Sequence, residues 1–155
     1  MAKKSDKTLA MHVLDGKKVP YEVLTFSPGI HSADGVAQAL GLPAEEVYKT
    51  LVVVRPLGKP LLVMVPAGQE LDLKRLAKAV GEKKLKMATH REAEALTGLQ
   101  VGGISALSLL NRGFQICILR EAQVLSHIVV SAGQRGVDLR LAVGDLIRVT
   151  GAKPV

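Results

Sequence analysis

The 155-residue sequence has no tryptophan, one cysteine and four aromatic residues, Tyr21, Phe26, Tyr48 and Phe114. A single cysteine excludes an internal disulfide. Cys117 lies in the apolar run Phe114-Gln115-Ile116-Cys117-Ile118-Leu119, a setting in which a free thiol behaves as a small hydrophobe rather than a nucleophile. So few aromatics exclude the stacking platform with which proteins hold single-stranded nucleic acid. No apolar run reaches the roughly 18 residues that cross a bilayer, because residues such as Arg55, Lys59 and Gln69 interrupt each one. The basic start, Met1 to Lys7, leads into Thr8-Leu9-Ala10-Met11-His12, too short and polar for a signal sequence, so the cytoplasm is the expected compartment.

Chemical motifs are equally sparse. The chain lacks a Walker loop, a nucleophile elbow and any metal-spaced His/Cys cluster, and Gly102-Gly103 lacks the third glycine and acidic partner of a dinucleotide site. No metal or cofactor is expected. His12, His31, His90 and His127 are far apart in sequence and read as surface or capping residues.

What is present is apolar mass and positive charge. Nearly half the residues (48%) are hydrophobic and the net charge is +7, which suits one globular domain over residues 1–155. The charge is uneven. Residues 74–91 carry Lys74, Arg75, Lys78, Lys83, Lys84, Lys86 and Arg91 against Glu82 alone, and residues 3–18 carry five lysines against Asp6 and Asp15. Such an excess attracts polyanions, nucleic acid first among them, by counterion release. A solvated basic face without a ligand is the other reading that charge alone allows.

Periodicity predicts short elements of both kinds. Helices are expected over Lys7–Asp15, after Ser32 up to Gly41, over Asp72–Val80 before Gly81, from the capping box Thr89-His90-Arg91-Glu92 to Gly98, and over Val143–Val149. Strands are expected over Val19–Phe26, Val47–Arg55 and Pro60–Val65 as a hairpin, then Lys84–Ala88, Phe114–Leu119, Leu125–Ser131 and Val137–Leu141. Residues 99–106 read as a glycine-centred loop. The irregular mixture predicts an α+β fold, a small mixed sheet curled toward a barrel and flanked by short helices.

One residue breaks the pattern. In Val47-Tyr48-Lys49-Thr50-Leu51-Val52-Val53-Val54, both faces of the strand are largely apolar, yet Lys49 shares a face with Val47, Leu51 and Val53. An unpaired buried ammonium is costly, so Lys49 either faces a ligand or runs its amine out to water from the strand's start.

Glu46-Val47-Tyr48-Lys49-Thr50-Leu51, Val101-Gly102-Gly103-Ile104-Ser105 and Val130-Ser131-Ala132-Gly133-Gln134-Arg135-Gly136-Val137-Asp138-Leu139 occur in this order. In these segments the chain resembles the YbaK-type aminoacyl-tRNA deacylases, freestanding relatives of the prolyl-tRNA synthetase editing domain, over nearly its whole length. The resemblance implies a small mixed β-barrel with flanking helices and trans-editing hydrolysis of mischarged Cys-tRNA(Pro). Its partners would be the tRNA acceptor end and, as a further candidate, prolyl-tRNA synthetase. It assigns catalysis to Lys49, Gly102 and Gly103, and substrate contact to Phe26, Ser32, Ile104, Ser105 and Asp138. Backbone amides of Gly102, Gly103 and Ile104 would donate to the ester carbonyl oxygen as negative charge develops there. Lys49 would stabilise that charge or a terminal phosphate. In the cysteine-specific relatives the substrate's own thiol is the expected attacking group. Asp138 would orient Lys49 or a ribose hydroxyl, unless it is a structural carboxylate paired with Arg135 or Arg140.

Three positions depart from the family pattern: Ala106 replaces a proline, Phe26 a tyrosine and Ser32 an aromatic. They bear on substrate identity, leaving open an Ala- or Ser-tRNA deacylase, or a non-catalytic module that binds tRNA or a synthetase.

Overall fold

The computed structural model describes residues 6–155. Among them are five α-helices and eight strands. Helix α1 (Leu9–Gly16) starts where the Thr8 hydroxyl accepts from Met11 N–H, and it buries Ala10, Met11 and Leu14. Lys18 then adopts φ +58° and Val19 N–H bonds back to Leu14. The first strand, β1 (Glu22–Thr25), therefore begins three residues later than its β-prone sequence suggests. Helix α2 (Ala33–Leu40) is capped by Ser32 and closed by Gly41 in the left-handed conformation.

Strands β2 (Tyr48–Val54) and β3 (Leu61–Pro66) form the expected antiparallel hairpin. Helix α3 (Leu73–Val80) is capped by Asp72, and β4 spans only Lys86–Met87. Helix α4 (His90–Thr97) opens with the predicted capping box between Thr89 and Glu92. The chain continues with β5 (Gln115–Ile118), β6 (His127–Gln134), β7 (Val137–Ala142), α5 (Val143–Thr150) and β8 (Lys153–Pro154). Two 3₁₀ turns, Ala106–Leu109 and Arg120–Val124, and the short β8 were not anticipated. The turns lack helical periodicity, and β8 is too short to carry a pattern of its own.

The α+β architecture is as expected. Its sheet comes as two sheets, ordered β1-β7-β6 and β4-β2-β3-β5-β8, linked by a parallel bridge between Val47 and Val129. Strand β3 is buried along its whole length. One face of the β2–β3 hairpin (Tyr48, Val52, Leu62, Met64) shares the main core with α1, β6 and β7. The other face (Val53, Leu61, Val63, Val65) packs on Leu76 of α3. A third cluster joins α2 to the bridge residues Val47 and Val129.

Strand β4 positions the site by being short. It pairs only with Val53 and Val54 of β2, and Ala88 N–H adds a bond to Val52 C=O. Alternation along β2 then directs the N–H and C=O of Thr50 away from β3, beyond the end of β4. Residues 47–52 consequently border a cavity instead of another strand.

Candidate active site

This cavity, about 470 Å³, lies at the seam between the two sheets. One wall is β2 from Val47 to Val52, the second is the entry to α2 from His31 to Val36, and the third runs from Met87 into α4. Val101, Gly102 and Ile104 close it, with Ser131 and Asp138 contributed by the smaller sheet. Its size falls within the 300–1,000 Å³ typical of small-ligand sites.

Five of the eight site residues expected from sequence line this cavity: Lys49, Gly102, Ile104, Ser32 and Asp138. Lys49 is half-buried and belongs to no ion pair among the described residues. Asp138 lies on β7, the centre of its sheet, in register with Ser131 and Leu24, and is only 5% exposed. Neither arginine considered as its partner reaches it. Arg140 stands 4.0 Å from Glu22, and Arg135 Nε donates to Val101 C=O at 2.7 Å. Burial without a counterion pushes the Asp138 carboxyl up to about 7. Burial also raises the Tyr48 phenol, to about 12, so it faces the cavity un-ionised.

The other three residues have different positions. Phe26 packs in the cluster beneath α2, and its N–H and C=O run beside Gly136, so it is a wall behind the site. Gly103 is buried, and its N–H donates to Gln100 C=O at 2.8 Å. That closes a turn and removes Gly103 from the set of free amide donors. Ser105 is 1% exposed, and its hydroxyl has no hydrogen-bond partner among the described residues.

Both glycines of the loop have a steric reason to be glycine. Gly102 sits at φ +93°, and a Cβ there would lie 3.3 Å from the His31 backbone. A Cβ on Gly103 would come within 2.9 Å of Arg135 N and 3.0 Å of Gln134 Cα. The loop therefore lies directly on the β6–β7 turn, and the Arg135–Val101 bond holds it there. The N–H groups of Gly102 and Ile104 have no acceptor among the described residues, and both residues line the cavity.

Sequence reasoning missed His31, Asp34, Thr50, His90 and Ser131, all in the lining. Ser131 Oγ accepts from Gly133 N–H at 3.1 Å and Ser32 Oγ from Gly35 N–H at 3.0 Å. No cavity hydroxyl bonds to an imidazole among the described residues; the Ser126–His127 contact lies outside the lining. His90 could have been inferred from its place in the capping box, next to a strand end. His31 offers no local signal, because only the fold brings it against Gly102.

A family model for the aminoacyl-tRNA editing domain matches residues 27–149. An Enterococcus faecalis protein named "Putative Cys-tRNA(Pro)/Cys-tRNA(Cys) deacylase EbsC" is 40% identical over 99% of this chain and 95% of its own length. Proline–tRNA ligase from Acidithiobacillus ferrooxidans is 30% identical over 73% of the chain, which corresponds to 19% of that enzyme. Among solved structures, the hypothetical protein APE2540 superposes with a TM-score of 0.86 at 20% identity, covering 94% of this chain and 96% of that one. A "putative trans-editing enzyme for prolyl tRNA synthetase" gives 0.80 at 24% identity, covering 97% of each chain. These two likenesses concern the fold. The match across the seam-lining segments and the near full-length relative place the chain in the aminoacyl-tRNA editing domain family.

Proposed function

We propose that this protein hydrolyses mischarged aminoacyl-tRNA in trans, with Cys-tRNA(Pro) as its principal substrate. The observation that carries the reading is one cavity holding Lys49, Asp138 and the Gly102 turn, with no ion pair to either charge and no activated nucleophile among the described residues. Cys117 is buried in the core and burial raises its thiol. Ser105 lies outside the lining. The attacking group must then come from the substrate or from water.

For a cysteinyl ester, the substrate thiolate attacks its own carbonyl carbon. A C–S bond forms, the ester C–O bond breaks, and the ribose oxygen leaves with a proton. Water then opens the four-membered thiolactone to free cysteine. Lys49 favours the thiolate by its positive charge, and the amides of Gly102 and Ile104 donate to the carbonyl oxygen. Asp138 hydrogen-bonds a ribose hydroxyl or the Lys49 ammonium. Such a substrate is found in the cytoplasm, where a prolyl-tRNA synthetase would deliver it. One feature favours a second reading: Ser32 lines the cavity where the family carries an aromatic, giving a wider, more polar pocket suited to Ala- or Ser-tRNA.

The test is a panel of aminoacyl-tRNAs incubated with wild type and Lys49→Ala, following release of free amino acid. Loss of release by about 10²–10³ on mutation is expected. Cleavage of Cys-tRNA(Pro) with much slower cleavage of Ser-tRNA(Pro) supports thiol assistance, and equal rates refute it. Binding of tRNA with no release by either protein would mark a non-catalytic module.

A further inference from the structure

Outside the cavity, the largest unexplained feature is electrostatic. Elsewhere, cations that reach carboxylates include Arg148 with Asp145 at 2.9 Å and Arg140 with Glu22 at 4.0 Å. From α3 to α4, among the described residues, Arg75 alone does so, toward Glu121 at 2.7 Å. Lys74, Lys78, Lys83, Lys84, Lys86 and Arg91 are all exposed, and none joins an ion pair among the described residues. Lys74 and Lys78 are one turn apart on α3, so they share a face. Lys83 and Lys84 occupy the turn after Gly81, Lys86 the edge strand β4, and Arg91 the first turn of α4.

The same segment lines the cavity through Met87, Ala88 and His90. A lysine on an edge strand also discourages strand addition, but this accounts for Lys86 alone. Glu82 within the segment and Asp72 and Glu92 at its ends offset only part of its positive charge, and the remaining excess of like charge is a cost to the fold that a polyanion would remove.

We propose that α3, the turn after it, β4 and the start of α4 form a track for the phosphates of an RNA duplex whose 3′ end enters the cavity past Met87, Ala88 and His90. The inference rests on the deacylase reading for its choice of ligand, and it adds which surface grips the acceptor stem and from which side the stem approaches. Contacts of this kind read backbone charge, not sequence.

The experiment uses the full chain and the variant Lys78→Gln/Lys83→Gln/Lys84→Gln, three exposed residues whose replacement leaves the core untouched; coincident thermal melts check this. Binding of deacylated tRNA is measured against KCl concentration, with polyglutamate as a second probe. For the variant, the dissociation constant for tRNA should rise at least tenfold, and the slope of log affinity against log salt should shrink by about 2–3. In parallel, the cleavage rate on full aminoacyl-tRNA should fall at least tenfold relative to that on an aminoacylated CCA trinucleotide, which has no duplex. Unchanged tRNA affinity and slope would overturn the track, and so would loss of polyglutamate binding alone, which would assign the face to an acidic protein. If wild type cleaves no aminoacyl ester, the deacylase reading fails while the tRNA-binding comparison still decides this one.

Discussion

Asp138 should make the protein less stable as the pH rises through neutrality. Its carboxyl titrates at about 7 in the folded state against 3.8 when solvated, so the native fold binds this proton more tightly than the unfolded chain does. Stability from this group is complete below about pH 4, declines as the unfolded chain begins to ionise, and is lost by the time pH passes about 7. At roughly 1.4 kcal/mol per pH unit, the span from 3.8 to about 7 corresponds to about 4 kcal/mol. That is an upper figure, because the carboxyl borders a cavity that water can enter. Asp138→Asn removes the titration while keeping size and shape. Urea unfolding of both proteins at pH 4.5, 6 and 8 is the assay, and subtracting variant from wild type cancels every other titrating group. The variant should gain steadily on wild type with rising pH, becoming the more stable by a few kcal/mol at pH 8. A difference that stays constant over this range would refute the claim that burial, unrelieved by a counterion, governs this carboxyl.

Other substitutions probe the surroundings. Gly103→Ala forces a Cβ to within 2.9–3.0 Å of the Gln134–Arg135 backbone and should cost about 1–3 kcal/mol, seen as a drop in Tm of several degrees with activity falling in step. Ser105→Ala removes a buried hydroxyl that has no partner and should leave stability unchanged or raise it; loss of hydrolysis by orders of magnitude would instead make Ser105 a nucleophile. Arg75 and Gln69 hold the Glu121 carboxyl down at about 2, so its stabilisation exists above its unfolded pKa of 4.5 and disappears as pH falls towards 2. Glu121→Gln should therefore narrow its Tm gap from wild type between pH 6 and pH 2.5.

Elements with a local cause were legible in the sequence. Thr89 and Glu92 announce α4, Asp72 and Gly81 bound α3, and the β2–β3 hairpin follows from two apolar runs around Leu57-Gly58-Lys59. Lys49 stood out because an ammonium among aliphatics needs a reason, and the cavity gives one. What depended on tertiary placement was hidden. The turn from Gln100 to Gly103 takes up an amide that glycine spacing alone makes look free. Phe26 lies in the cluster under α2 because β1 pairs with β7 and continues past Thr25 to bond Gly136. His31 enters the site only because the loop bearing Gly102 folds against it, a contact between residues about seventy positions apart.

The two sheets meet through the Val47–Val129 bridge, and Lys49 belongs to one sheet while Asp138 belongs to the other. That one bridge and the packing of aliphatic side chains around it, rather than a continuous ladder, hold these two groups apart. Selectivity can thus drift by changing a methyl group at a position that never meets the ligand. Altering Val129 to isoleucine or alanine would re-space the ammonium and the carboxyl while leaving the chemical identity of every pocket side chain unchanged.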